Sequence, residues 1–177
     1  MRGSRRRRAA RYVEAVVADA HAGQAWDVWE ADFEILAAIA DDDSARRFLQ
    51  STSIGLDDRI AAVQRAAGDS ISARGLGLLR LLADQREVDL TQEVARRYRE
   101  AADEAQNVDR IHVTAATALG DAELSDLRNR LTAPGRTLRL TTDIDPALLG
   151  GFVVRRGDDV LDLSVHARLQ ALASTLR

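Results

Sequence analysis

The sequence predicts a mainly α protein with a small α+β part: an N-terminal six-helix bundle over residues 1–106, then a C-terminal α+β domain over 107–177 with a small sheet and a closing helix. Three observations predict it. Apolar residues recur at threes and fours from Arg6 to about Gln106, and the spacing switches to alternation after Asn107. Aromatic residues make up 4% of a chain that is 46% hydrophobic, so its cores are built from small aliphatic side chains that suit close helix packing.

The first helix carries Tyr12, Val13, Val16, Val17 and Ala20 on one stripe and reaches Gly23, a candidate C-cap because glycine takes the left-handed backbone that ends helices. The second, from about Ala25 to Ala40, repeats Trp26, Trp29, Phe33, Leu36 and Ile39 and stops at Asp41, Asp42 and Asp43. Those carboxylates favour a short third helix, Ser44 to Gln50, by sitting at the positive end of its dipole. A fourth follows Ile54 and Gly55, with Asp57 or a neighbour as cap and Ile60, Val63 and Ala67 buried. The fifth presents Ile71, Leu78, Leu79 and Leu82 after Ser70 or Ser72. Gly75 and Gly77 each cost that helix roughly 1 kcal/mol against alanine, so either another helix approaches closely there or the helix breaks. The sixth, about Leu90 to Ala105, closes the bundle.

Beyond Asn107, Ile111 and Val113 alternate with His112 and Thr114, and Leu138 and Leu140 with Arg139 and Thr141, which predicts two strands. Leu124, Leu127 and Leu131 mark a helix between them, opened by Gly120 or Asp121. Asp145-Pro146 has the form of an N-cap followed by proline, starting a turn that Gly150 and Gly151 end. A hairpin pairs Phe152 to Arg155 with Val160 to Leu163 across Arg156-Gly157-Asp158-Asp159. The closing helix starts at Asp162 or Ser164 and carries Val165, Leu169, Leu172 and Leu176 on one stripe.

With no cysteine, disulfides, thiolate metal sites and cysteine nucleophiles are excluded, and His21, His112 and His166 lack partners at helical metal-ligand spacing, so no metal is expected. There is no apolar run of about 18 residues and no signal-peptide core, which predicts a cytoplasmic protein. Lysine is absent, and Arg2, Arg5, Arg6, Arg7, Arg8 and Arg11 put six cations into the first eleven residues; without them the formal charge falls from −3 to −9. A basic start on an acidic body suits nucleic acid, lipid headgroups or an acidic partner, or is simply a solvated end.

Catalytic spacings are missing. Arg74-Gly75-Leu76-Gly77 lies inside a helical pattern and Gly150-Gly151 precedes a strand, so neither forms a phosphate loop. Asp57-Asp58 and Asp158-Asp159 read as helix start and hairpin turn. No catalytic residue and no cofactor are expected.

Arg11-Tyr12 opens a series that continues through Leu78-Leu79-Arg80-Leu81-Leu82, Arg86, Tyr98 and Ile111-His112-Val113-Thr114-Ala115-Ala116. It is strongest from Asp143-Ile144-Asp145-Pro146 through Leu148-Leu149-Gly150-Gly151-Phe152-Val153-Val154 and Gly157-Asp158 to Leu161-Asp162-Leu163-Ser164-Val165 and Leu169. In this order the segments resemble the delta subunits of bacterial F-type ATP synthases, homologues of the mitochondrial oligomycin sensitivity-conferring protein. The arginine-rich start, the missing lysine and Ala9-Ala10-Arg11 before the tyrosine depart from that pattern.

The resemblance implies a non-catalytic stator adaptor at the cytoplasmic face of the cell membrane, attached to it only through the complex. Its bundle would bind N-terminal segments of the alpha subunit on the F1 head, and its C-terminal domain the C-terminal region of subunit b. Carried over, the groove between helices one and five sets Tyr12, Ala15 and Val16 against Leu78, Leu79 and Leu82, with Trp29 near the same surface. Periodicity does not separate a groove from a bundle interior. Gly150, Gly151, Asp162 and Ser164 would be the structural signature that supports stalk coupling. No small-molecule substrate and no nucleic acid are implied. The alternative from another class is a nucleic-acid-binding regulator that uses the arginine-rich start, although its acidic body repels a polyanion and no aromatics interleave the arginines.

Overall fold

The computed structural model describes residues 2–157 and 159–169, without the side chains of residues 2–4. It separates into two compact units, Met1–Ala102 and Asp103–Arg177. The first holds α1 (Arg2–Gly23), α2 (Trp26–Asp41), α3 (Asp43–Gln50), α4 (Leu56–Ala67), α5 (Ala73–Asp84) and most of α6 (Thr91–Ala105), with single 3-10 turns at Gly68–Ser70 and Val88–Leu90.

The predicted apolar stripes converge on one core in which Phe33, Leu36, Leu49, Leu79, Leu82, Val94 and Tyr98 are fully enclosed. Its few aromatics cluster. The Tyr98 ring lies 4.9 Å from Phe33 and 6.3 Å from Trp26, and Phe33 lies 5.9 Å from Trp29. Enclosure obliges the Tyr98 hydroxyl to find a partner, and it donates to the Trp26 carbonyl at 2.9 Å. Burial, reinforced by Glu30 and Asp27, pushes its phenol pKa upward.

Helix ends follow local chemistry. Asp42 ends α2 by donating its N–H to the Ala38 carbonyl, and starts α3 by accepting from the Ser44 and Ala45 amides at 2.7 and 2.9 Å. Those two amides hold its carboxyl below the usual range. Ser72 caps α5, its Oγ accepting from the Arg74 and Gly75 amides. Two sequence expectations need correction. Asp57 is not the cap of α4: Gly55 occupies that position, and Asp57 sits in the first turn, where its charge meets the helix dipole. The left-handed residue that ends α1 is Gln24, at φ 47°, and not Gly23. Its neighbour Ala25 donates back to the Ala20 carbonyl at 2.9 Å, the long bond of a Schellman ending.

The two glycines of α5 differ. A Cβ on Gly75 would lie 2.6 Å from the Asp32 carboxyl carbon, so the expected close approach comes from α2. Gly77 has nothing within 4 Å, and α5 continues unbroken through both. Asp32 itself is 1% exposed, and its carboxylate accepts from the Ser72 amide at 2.7 Å and the Ser72 hydroxyl at 2.5 Å. An anion from α2 thus sits at the positive end of α5.

The second unit runs β1 (Val108–Ala115), α7 (Asp121–Leu131), β2 (Thr137–Ile144), β3 (Phe152–Arg156) and β4 (Asp159–Asp162). The sheet order is β2-β1-β3-β4, with β1 parallel to β2 and antiparallel to β3. The crossover through α7 is what a parallel pair requires. Ile111, Val113 and Val154 bury one sheet face together with Leu127 of α7, while Arg110, His112 and Thr114 alternate to the other. Glu123 of α7 reaches back to the Gly120 amide at 2.9 Å. The hairpin closes with Arg156 opposite Asp159 and Gly157 at φ 56°. Asp109, nearly buried on β1, is held between Arg136 at 2.7 Å and Arg156 at 3.6 Å. Residues 165–169 are helical, while Asp158, Leu172 and Leu176 lie outside the described residues.

Candidate functional site

Helices α1 and α5 frame a cleft of about 510 Å³ lined by Arg8, Arg11, Tyr12, Ala15, Leu81, Gln85 and Glu87. Its floor follows from helix geometry. On α1, Arg8, Arg11, Tyr12 and Ala15 fall at i, i+3, i+4 and i+7, one face over two turns. Of the six groove candidates, Tyr12 and Ala15 line this cleft. Val16, Leu78, Leu79 and Leu82 lie beneath it in the bundle core, at 4%, 7%, 0% and 0% exposure. The apolar residue that α5 turns outward is Leu81, 48% exposed.

The polar edge of the cleft is organised around Glu87, on the segment that follows α5. Its carboxylate accepts the Tyr12 hydroxyl at 2.8 Å and pairs with Arg8. Burial first, then the bond to Glu87, pushes the Tyr12 phenol up to about 12. Trp29 does not line the cleft. It is 5% exposed, packs on Phe33, and donates its indole N–H to Asp19 at 2.9 Å.

Sequence reasoning missed Leu81, Glu87 and Arg8. Leu81 carries a usable signal, because it falls off the buried stripe of Leu78, Leu79 and Leu82 and is nonetheless leucine. The ion pair of Arg8 and Glu87 spans 79 positions and leaves none.

In the second unit the glycine pair and the helix-start residues meet. Leu163 donates its amide to the Phe152 carbonyl and Val165 donates to the Gly150 carbonyl, both at 3.0 Å. A Cβ on Gly151 would stand 2.5 Å from the Leu163 carbonyl oxygen, and its φ of 75° is one that glycine adopts without strain. Gly150, at φ 154°, faces the Val165 side chain, 3.0 Å from its would-be Cβ. Asp162 accepts from the Ser164 amide at 2.9 Å, and Ser164 Oγ accepts from the Ala167 amide at 3.1 Å, which makes Ser164 the cap of the helical residues 165–169. The Ser164 hydroxyl and amide hold the Asp162 carboxyl below its usual range. Gly150, Gly151, Asp162 and Ser164 therefore form one junction of strand, loop and helix.

Among the described residues no group of histidines and acids has metal-binding geometry, and no helix is long and apolar enough to cross a membrane. The cleft has an apolar floor with a charged rim, and the junction is a hydrogen-bonded corner.

Known proteins carry the same architecture. The delta subunit of ATP synthase from Methylobacillus flagellatus is 30% identical over 150 residues, covering 84% of each chain. That of Teredinibacter turnerae is 32% identical, covering 93% of each. A chain in the cryo-EM structure of the Toxoplasma gondii mitochondrial ATP synthase hexamer shares the fold, with a TM-score of 0.64 at 21% identity over 95% of this chain and 96% of that one. The family profile of the ATP synthase delta (OSCP) subunit matches residues 9–176. The chain belongs to the ATP synthase delta (OSCP) subunit family.

Proposed function

We propose that this subunit is a non-catalytic stator adaptor, in which residues 1–106 bind an N-terminal segment of the alpha subunit on the catalytic head and residues 107–177 bind the C-terminal region of subunit b. The observation that carries the reading is the α1–α5 cleft: Tyr12, Ala15 and the outward Leu81 offer an apolar strip of helical pitch above a closed core. An amphipathic helix laid in such a groove is a recurrent recognition mode. In the second unit, Leu149, Leu161, Val165 and Leu169 are exposed apolar residues of the kind that mark contact surfaces. The junction at Gly150-Gly151 and Asp162-Ser164 holds that surface in one shape, which transmission of torque requires. The subunit would sit at the cytoplasmic face of the membrane through the complex alone.

Calorimetric titration of the full chain with an alpha N-terminal peptide and with a subunit b C-terminal fragment tests the assignment. Saturable binding of each is expected, and saturable binding of neither overturns it. Gly150→Asp should weaken stalk coupling and leave ATP hydrolysis by the isolated head intact; unchanged proton-driven ATP synthesis in that variant refutes the role given to the junction.

A further inference from the structure

We infer that the segment seated in the α1–α5 cleft of this chain is acidic along the flank that lies on α1, and that Arg11 is its ion-pair partner. The inference rests on the docking role proposed for the cleft and adds the chemistry of the occupant.

Two observations carry it. Arg11 is exposed on α1 at the cleft, and among the described residues no carboxylate lies within ion-pair distance of it, whereas Arg5 and Arg6 line a separate cavity with Asp89 and Glu93. The acid in the cleft lining is already engaged: Glu87 is held by Arg8 and Tyr12, and its side chain is 11% exposed. The rim facing an incoming helix is therefore cationic at Arg11. A carboxylate docked beside Arg11 gains an ion pair there, whereas a basic flank would be repelled.

The identity of the apolar face is then set by Tyr12, Ala15 and Leu81, and the polarity of its flank by Arg11.

The test uses the full chain and a synthetic N-terminal peptide of the alpha subunit that accompanies it, with a second peptide whose acidic residues are replaced by their amides. At low salt the acidic peptide should bind about fivefold more tightly than the amide peptide, the upper range for a rim ion pair. The difference should shrink at high ionic strength, where exposed charges are screened. Arg11→Gln should abolish it, whereas Arg65→Gln, an exposed cation of α4, should preserve it. Circular dichroism establishes that both variants are folded. Equal binding of the two peptides, or a difference that survives in Arg11→Gln, overturns the charge assignment and leaves the docking role standing. Binding of neither peptide overturns the docking role and this inference with it.

Discussion

The position of a Cβ on Gly151 lies 2.5 Å from the carbonyl oxygen of Leu163, closer than any side-chain carbon sits to a backbone oxygen. The two residues belong to strands β3 and β4 and their extensions, and neither backbone can retreat without breaking the Phe152–Leu163 bond beside them. Gly151→Ala should therefore destabilise the second unit by about 2 kcal/mol or more, adding overpacking to a left-handed backbone. Urea unfolding of the variant measures it; a loss under about 0.5 kcal/mol, the ordinary surface range, contradicts the contact.

The glycines of α5 should respond with opposite signs. Gly75→Ala drives a methyl group into Asp32 and loses about 1 to 3 kcal/mol despite better helix propensity. Gly77→Ala meets open space and gains up to about 1 kcal/mol. Thermal unfolding of the pair is the check, and two shifts of the same sign would contradict the approach of α2.

Alkaline titration should show no ordinary tyrosine. The chain has two, and both phenols are raised, Tyr12 to about 12 and Tyr98 by its enclosure. Because the folded values exceed the unfolded value of 10.0, the associated stability is complete below pH 10 and is lost as pH rises through about 12. Ultraviolet difference spectra should stay flat through pH 10 in the native protein. Glu87→Gln should lower the Tyr12 midpoint only in part, since burial is the larger cause.

The helix start at Ser164 offers an acid-side counterpart. Ser164→Ala removes a cap and should cost about 1 kcal/mol. The Asp162 carboxyl, held below its ordinary 3.8 by Ser164, contributes stability above that value that is lost as pH falls through the folded one. Carboxyl NMR should place Asp162 below 3.8 in the wild-type chain and return it towards 3.8 in Ser164→Ala.

Local rules made most elements legible. Period 3.6 located α1 to α6, period 2 located β1 and β2, and the caps Ser72, Asp145 and Ser164 stand where side-chain chemistry puts them. Asp57 misled because a carboxylate serves equally well inside the first turn. The cleft was legible only in part, since Tyr12 and Val16 share a stripe and only packing decides that one lines a surface while the other is enclosed. Asp32 was illegible for a different reason: a charged residue on an apolar stripe reads as solvent-facing, and its partner Ser72 is 40 positions away. The glycine pair was read as a tight turn, yet its stricter demand comes from the Leu163 backbone, which no pattern within the pair encodes.

Gln24 closes α1 in a left-handed conformation that a side chain takes only at some expense, and Arg86 and Leu149 do likewise at other junctions, while Asn107 takes it as a residue suited to that region. Gln24, Arg86 and Leu149 each forgo on the order of 1 kcal/mol that glycine would not. The corners of this molecule are thus imposed by the packing of what they connect. A chain with glycine at Gln24 should tolerate a lesion elsewhere that the natural one does not, so Gln24 marks where robustness can be added away from the cleft lining.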